Sequence, residues 1–237
     1  SMKKITSYVI PYPEKKIEHE VVLLIDVLRS TTVISYLFEY GAKKVSMVRT
    51  VSQAMSMKGE ESKILGERKG LKVKGFDFGN SPYELKVQYE KGFNFSAHDY
   101  VITTSNGAKA FSKVCENSDV MAASFQNYLK ICQYLETADD IGILCSGTKS
   151  CVSSEDLYLA GKIIQNFLNK GQYSLNDDSN ICLALAGLTA SQIIEKSSHA
   201  LALKKLGFIN DLNLCFSEEK FSAVPFSKRG GLTFMCF

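Results

Sequence analysis

The segment Val21-Val-Leu-Leu-Ile-Asp-Val-Leu-Arg-Ser-Thr-Thr32 combines a buried strand, a charged turn and the start of a helix. Five apolar residues precede Asp26, and an uninterrupted apolar run predicts a strand buried on both faces, as in a parallel sheet. The three hydroxyl residues that end the segment are suitable N-terminal caps for a following helix. A carboxylate at the end of such a strand, next to Arg29 and a helix start, predicts a ligand site.

Outward from this segment, apolar runs alternate with helical patterns. Strands are predicted at residues 5–10, 21–26, 44–49, 62–65, 99–103, 120–123 and 141–145. Helices are predicted at 32–40, 51–58, 108–115, 125–135 and 154–168, with two or three more within 177–206. Residues 66–82 read as a long irregular segment, and 212–216 and 232–235 as late strands at a sheet edge.

This alternation predicts an α/β protein with a layered α/β/α fold and a largely parallel or mixed sheet. We expect residues 1–237 to form a single domain. Two lobes with the site in the cleft between them are the alternative arrangement.

The composition limits the classes of function. Of the 237 residues, 45% are hydrophobic and 22% are charged, which is typical of a globular domain. The net charge of +3 is small and dispersed, so we expect no nucleic-acid partner. No apolar run approaches the ~20 residues that span a bilayer, so we expect no membrane partner. We see no secretory leader, and the seven cysteines include no C-x-x-C pair, so we expect a cytoplasmic protein.

Polar clusters recur where predicted strands end. They are Gly66-Glu-Arg68, Thr103-Thr-Ser-Asn-Gly107 and Cys145-Ser-Gly-Thr-Lys149, with Ser153-Ser-Glu-Asp156 at a helix start. Each cluster alone is more often turn or cap chemistry than a functional site. In a parallel sheet, however, these ends share one edge, and one cleft would receive them all. Their shared placement therefore favours function.

The sequence lacks the motifs of several well-known classes of enzyme. No phosphate-binding G-x-x-x-x-G-K-[ST] loop, G-x-G-x-x-G turn or G-x-S-x-G elbow is present. Leu28 stands where dehalogenase-type phosphatases carry their second aspartate. The remaining carboxylates, hydroxyls, amides and arginines suit a hard cation such as Mg²⁺ together with a phosphate group.

An ordered set of motifs resembles the 2-phosphosulfolactate phosphatase family, ComB, over about residues 20–226. The motifs are Asp26-Val-Leu-Arg-Ser-Thr-Thr32, Gly66-Glu-Arg68, Gly75-Phe-Asp-Phe-Gly-Asn-Ser-Pro82, Thr103-Thr-Ser-Asn-Gly107, Ser154-Glu-Asp156, Ala160-Gly161 and Val224-Pro225. The resemblance implies a Mg²⁺-dependent phosphatase that converts 2-phospho-3-sulfolactate to 3-sulfolactate and phosphate. In the family this reaction is a step of coenzyme M biosynthesis. The chain departs from the family at Ala108, where threonine is frequent, and at Leu201, where arginine is expected after His199.

The resemblance and the strand-end clusters together assign roles to particular residues. We expect the catalytic residues to be Asp26, Arg29, Glu67, Glu155 and Asp156. The four carboxylates of this set are also the candidate Mg²⁺ ligands. We expect the substrate to contact Thr31, Thr32, Arg68, Asn80, Ser81, Thr104, Ser105, Asn106 and Lys149.

Some alternatives stay open at this point. Asp26 is either a nucleophile that forms an aspartyl-phosphate or a metal ligand and base for an attacking water, and we favour the second. His199 is more often a structural histidine than a catalyst. The partner is a small anionic phosphorylated substrate, and a homodimer is expected because C2 dimers are common. A phosphatase of changed specificity, or a non-catalytic binding protein for an anionic metabolite, is the alternative function.

Overall fold

The computed structural model describes residues 2–236. Within them, strands β1 to β11 are Lys3–Tyr8, Val21–Ile25, Val45–Met47, Ser62–Arg68, Leu71–Lys72, Asp99–Thr103, Asp119–Ala123, Asp140–Cys145, Tyr173–Leu175, Pro225–Ser227 and Thr233–Cys236. Helices α1 to α10 are Ser30–Glu39, Val51–Ser56, Pro82–Glu90, Gly107–Phe111, Tyr128–Tyr134, Ser154–Leu168, Asp177–Leu185, Ala190–Lys196, Ser198–Lys205 and Ile209–Cys215. A 3-10 turn lies at Phe95–Ala97.

The strands of the described residues form one mixed sheet in the order β5-β4-β6-β3-β11-β10-β7-β2-β8-β1-β9. Strand β2 lies between β7 and β8 and is parallel to both. The antiparallel pairings are β4 with β5, and β10 and β11 with each other and with their outer neighbours. The predicted α/β class is confirmed.

The buried strand β2 separates two hydrophobic cores. Val21, Leu23 and Ile25 pack into one core together with α6, and Val22 and Leu24 pack into the other together with α1. Successive side chains of a strand point to opposite faces, so a strand covered on both sides is apolar throughout. This double burial is the physical reason for the uninterrupted apolar run before Asp26.

Two predictions at the carboxyl-terminal end of the chain are wrong. Residues 212–216, predicted as a strand, lie mostly in helix α10, whose Leu212 and Cys215 are three residues apart and face the core. The strand near 232–235 exists as β11, but it lies between β10 and β3 in the interior of the sheet. A short apolar run fits both a strand and a helix, and sheet position depends on distant pairing.

The segment 66–82, predicted as irregular, contains some regular secondary structure. Strand β4 continues to Arg68 and pairs with the two residues of β5, and Lys69 and Gly70 form the tight turn between the two strands. Three helices, α7 to α9, occupy most of 177–206, as predicted. Cys132, Cys145, Cys182 and Cys215 are buried free thiols. No helix in residues 2–236 is long and apolar enough to cross a bilayer.

Candidate active site

The loops that follow β2, β4, β6 and β8 meet helix α9 around a cleft of about 610 Å³. The cleft is lined by Asp26, Leu28, Arg29, Glu67, Lys69, Gly70, Asn80, Ser105, Asn106, Thr148, Lys149, Cys151, Val152, Ser198, His199, Ala202, Leu203 and Leu206. Seven of the residues predicted from the sequence are in this wall, because parallel strands carry their loops to one edge of the sheet.

Asp26 lies at the end of β2 and is almost fully buried. Its Oδ2 accepts a hydrogen bond of 2.6 Å from Ser30 Oγ, and no described residue donates to Oδ1. Burial raises the pKa of Asp26 and the charges of Glu67 and Glu155 raise it further, while the Ser30 hydrogen bond and His199 lower it. A proton or a cation close to this buried carboxylate would therefore stabilise it.

Gly107 allows the start of α4 to approach this carboxylate closely. A Cβ at position 107 would collide with Ser30 Oγ and would lie 2.8 Å from Asp26 Oδ2. A larger side chain would therefore displace the Asp26–Ser30 pair.

Glu67 faces the cleft from β4 and holds two loops together. Its Oε1 accepts from the backbone N–H of Ser105 at 2.7 Å, and its Oε2 accepts from the N–H of Gly70 at 2.8 Å. The Ser105 hydroxyl lies 3.3 Å from Oε2. These donors fix the carboxylate within the cleft wall.

Arg29 is held rigidly at the start of α1. Its Nη1 donates to Asp211 Oδ2 at 2.8 Å, its Nη2 donates to the Gly70 carbonyl at 2.9 Å, and its guanidinium lies 4.4 Å from the ring centre of Phe208. Asp211 in turn accepts from Ser81 Oγ at 2.7 Å. Because both partners of the Arg29–Asp211 ion pair are buried, the guanidinium has one defined position.

Asp156 has its carboxylate filled by protein donors. Oδ1 accepts from the N–H of Val27 at 3.0 Å, and Oδ2 accepts from the N–H of Gly147 at 3.1 Å and from Ser146 Oγ at 3.2 Å. Burial raises the pKa of Asp156 well above its usual range, and the neighbouring Glu155 and Asp26 raise it further. Asp156 therefore ties the loops after β2 and β8 together and does not line the cleft.

Glu155 is also buried behind the wall. Its Oε2 accepts from Ser197 Oγ at 2.8 Å, and its Oε1 lies 3.2 Å from Nδ1 of His199. Of Glu155, Ser197 and His199, only His199 is part of the cleft wall.

The other predicted substrate contacts hold loops. Thr31 Oγ1 accepts from the N–H of Asp26, and Thr32 Oγ1 donates to the carbonyl of Val27. Ser81 caps α3, and Thr104 Oγ1 accepts from the N–H of Ala108. Arg68 donates to the Glu67 carbonyl and to Thr103 Oγ1. None of these five predicted contacts is in the cleft wall.

Comparisons with known proteins find relatives along most of the chain. The family model for 2-phosphosulpholactate phosphatase matches residues 9–230. A probable 2-phosphosulfolactate phosphatase of Thermotoga maritima is 34% identical over 220 residues, which cover 92% of this chain and 93% of the relative. Relatives of the same description in Carboxydothermus hydrogenoformans (34%; 90% of this chain, 90% of the relative) and Clostridium perfringens (33%; 91% and 89%) are similar.

The chain belongs to the 2-phosphosulfolactate phosphatase family. Membership confirms the predicted resemblance and the predicted enzyme class, a phosphoric monoester hydrolase. Leu201, which replaces a family arginine, has 52% of its surface exposed and is outside the cleft wall. Position 201 therefore does not contribute a side chain to the cleft wall of this protein.

The predicted site lacks the cleft residues Lys69 and His199, and it lacks Asp211, which lies outside the cleft wall. Lys69 follows the Gly66-Glu-Arg68 motif directly, and His199 was interpreted as structural. Asp211, which anchors Arg29, adjoins the segment predicted as a strand. An acidic residue in the first turn of a helix was its only available signal, because its partner lies 182 positions away.

The four predicted metal ligands do not form a single cluster. No group of three or more His, Cys, Asp or Glu side chains in residues 2–236 is arranged to hold a metal ion. The cleft does contain the carboxylates of Asp26 and Glu67 and the amide of Asn80. Asn80 Oδ1 is buried and has no hydrogen-bond donor, so it is an oxygen ligand without a partner.

Proposed function

We propose that this protein hydrolyses 2-phospho-3-sulfolactate to 3-sulfolactate and phosphate with the help of Mg²⁺. The observation that carries the proposal is the shared cleft, in which Asp26 and Glu67 face the same space as Arg29 and two lysines. Relatives that match almost the full chain are described as probable 2-phosphosulfolactate phosphatases. Coenzyme M biosynthesis, a cytoplasmic location and a homodimer stay predictions from the sequence.

The cations of the cleft suit a substrate with several negative charges. Arg29 is a fixed, planar donor, and such guanidinium groups match phosphate and carboxylate oxygens. Lys69 and Lys149 form no ion pair with an acid in the described part of the chain, so their ammonium groups are available to further anionic groups. A molecule with a phosphate, a sulfonate and a carboxylate fits this distribution of charge.

The oxygen ligands of the cleft fit Mg²⁺. This ion is usually held by one or two protein carboxylates, with waters and substrate phosphate completing its octahedral shell. Asp26 and Glu67 would supply the two carboxylates, and the unpartnered Asn80 Oδ1 would supply a third oxygen or bind a coordinated water. When bound, the ion neutralises the charge on the phosphoryl oxygens. Glu155 and Asp156 are not needed for this shell.

The chain's own residues position the reactants. Arg29 would orient the phosphoryl group, and the Asp26 carboxylate would accept a proton from the attacking water. Phosphoryl transfer requires little covalent work from the protein, so positioning and charge neutralisation account for most of the catalysis.

Chemical trapping distinguishes this water mechanism from a nucleophilic Asp26. A reaction quenched in denaturant and reduced with borohydride converts an aspartyl-phosphate to homoserine. We expect unmodified Asp26 in the peptide mass spectrum. Homoserine at position 26 would establish the covalent route.

A phosphate-release assay tests the proposed function itself. The purified protein is incubated with 2-phospho-3-sulfolactate, phospholactate, 3-phosphoglycerate and glycerol 2-phosphate, with Mg²⁺ or with EDTA. We expect the highest kcat/KM with the sulfonated ester, loss of activity in EDTA and recovery when Mg²⁺ is added. Preference for another ester would indicate changed specificity, and sulfolactate binding without turnover of any ester would indicate a binding protein.

A further inference from the structure

We propose that His199 is the general acid of the reaction and that Glu155 is the residue that positions it. The proposal rests on the proposed phosphatase function and adds to it the residue that protonates the leaving group. Neither role follows from the family name or from the carboxylates of the cleft.

A buried carboxylate fixes one side of the imidazole ring. Glu155 is 1% exposed, and its second oxygen is held by Ser197 Oγ. Nδ1 of His199 lies 3.2 Å from Glu155 Oε1 and 3.0 Å from Thr148 Oγ1. A carboxylate that faces Nδ1 accepts a hydrogen bond from a proton on that nitrogen. It therefore selects Nε2 as the nitrogen that exchanges a proton.

The other side of the ring is open to the cleft. His199 is part of the cleft wall, its side chain is 18% exposed, and Nε2 forms no hydrogen bond with any residue from 2 to 236. Asp26 lines the same cleft. The imidazole therefore faces the same space as the proposed base, with a nitrogen available to a ligand.

Local structure explains why these two residues meet. Ser197 caps α9 through the N–H of Ala200, so His199 lies in the first turn of that helix. Glu155 lies in the first turn of α6. The Ser197 hydroxyl thus joins the starts of both helices and sets the histidine beside the acid.

The chemistry of the substrate requires such an acid. Water attacks phosphorus, its proton passes to Asp26, and the bond between phosphorus and the ester oxygen breaks. That oxygen would leave as a secondary alkoxide, which is a strong base and a poor leaving group. Proton transfer from His199 Nε2 to this oxygen gives the alcohol directly, and the ring regains its proton from Asp26 or solvent. General acid catalysis of this kind contributes about 10²–10⁴-fold in rate.

Leaving-group dependence tests the role. His199→Ala and His199→Gln are compared with wild type on 2-phospho-3-sulfolactate and on 4-nitrophenyl phosphate, whose leaving group is stable as an anion. We expect kcat/KM for the sulfolactate ester to fall about 10²–10⁴-fold and that for the aryl ester to fall less than about tenfold. Glu155→Gln is expected to change the ratio in the same direction by a smaller factor. Because both esters are measured on one sample, a misfolded fraction cancels from their ratio.

His19→Ala supplies a matched control. His19 Nδ1 pairs with Asp140 at 2.7 Å, and Nε2 pairs with Tyr8, away from the cleft, so this variant is expected to leave the ratio unchanged. Equal losses on both esters in the His199 variants would overturn the general-acid role while leaving the phosphatase function intact. Wild-type protein without activity on either ester would overturn the proposed function and this inference together.

Discussion

Two pairs of carboxylates, similar in burial, differ in what surrounds their oxygens. Asp26 and Glu67 are 4% and 7% exposed, and Glu155 and Asp156 are each 1% exposed. The first pair faces the cleft, where the Asp26 Oδ1 has no donor among the described residues. The second pair lies behind the wall. Burial alone therefore does not separate the two pairs, whereas contact with the cleft does, and within the first pair only Asp26 keeps an oxygen without a donor among the described residues.

The difference also separates the roles of the second pair. Asp156 accepts hydrogen bonds from two backbone N–H groups and one hydroxyl and so stabilises the loops on which the site is built. Glu155 acts on the cleft through His199. Substitution of individual acids should separate loss of turnover from loss of stability.

The largest expected effect is on turnover in Asp26→Asn. The variant removes the proposed proton acceptor and cation ligand, so kcat should fall about 10²–10⁴-fold. Its melting temperature should not fall, because loss of a buried charge relieves repulsion from Glu67 and Glu155. Phosphate release and thermal unfolding measured on one preparation check both parts. Near-normal turnover would refute the assigned role.

The matched variant Asp156→Asn should show the opposite pattern. An amide NH₂ in place of one oxygen leaves a buried backbone N–H of Val27 or Gly147 without an acceptor, at a cost of about 1–3 kcal/mol. We expect this loss in urea unfolding and a turnover within about tenfold of wild type. Turnover as low as in Asp26→Asn, with the fold intact, would show that Asp156 has a catalytic role.

The same pair of proteins should differ in the pH dependence of stability. The folded-state pKa of Asp156 is raised, so its contribution to stability is fully present below the usual value of 3.8 and is lost as pH rises through the raised pKa. The stability advantage of wild type over Asp156→Asn should therefore shrink with rising pH, by at most about 1.4 kcal/mol per pH unit. Urea unfolding of both proteins between about pH 4 and 8 measures this slope. A constant or widening gap would show that the carboxyl is not shifted upward.

The smallest effect is expected for Lys149→Met. The backbone N–H of Lys149 donates to Asn106 Oδ1, and this bond survives the substitution. Removal of this exposed charge from the cleft wall should raise KM about two- to tenfold with little change in kcat, and added salt should diminish the difference. Lys170→Met, whose ammonium pairs with Glu136 elsewhere, is the control and should leave KM unchanged.

The sequence predicted well which residues meet at the edge of the sheet. It predicted poorly which of the carboxylates face the cleft and which have structural roles. Parallel strands that end in polar loops converge by geometry, so Asp26, Glu67, Ser105 and Lys149 were found together. Which oxygens face the cleft depends on rotamers and on distant donors, such as the Ser197 hydroxyl on Glu155. No local pattern in the sequence encodes those choices.

The errors near the carboxyl terminus have a similar cause. Residues 212–216 are too short and too apolar for periodicity to separate a strand from a helix. The consequence reached the site, because Asp211 in the first turn of α10 anchors Arg29. The long-range ion pair between Arg29 and Asp211 thus connects a correctly predicted cleft residue to a helix that was predicted as a strand.

The most direct test of the division between the two acid pairs is Mg²⁺ binding measured by calorimetry in the presence of inorganic phosphate. Wild type, Asp26→Asn and Asp156→Asn are titrated under identical conditions, with circular dichroism to establish that each is folded. We predict binding to wild type, a similar dissociation constant for Asp156→Asn and no measurable binding to Asp26→Asn. Binding that survives in Asp26→Asn, or that is lost in folded Asp156→Asn, would contradict the account.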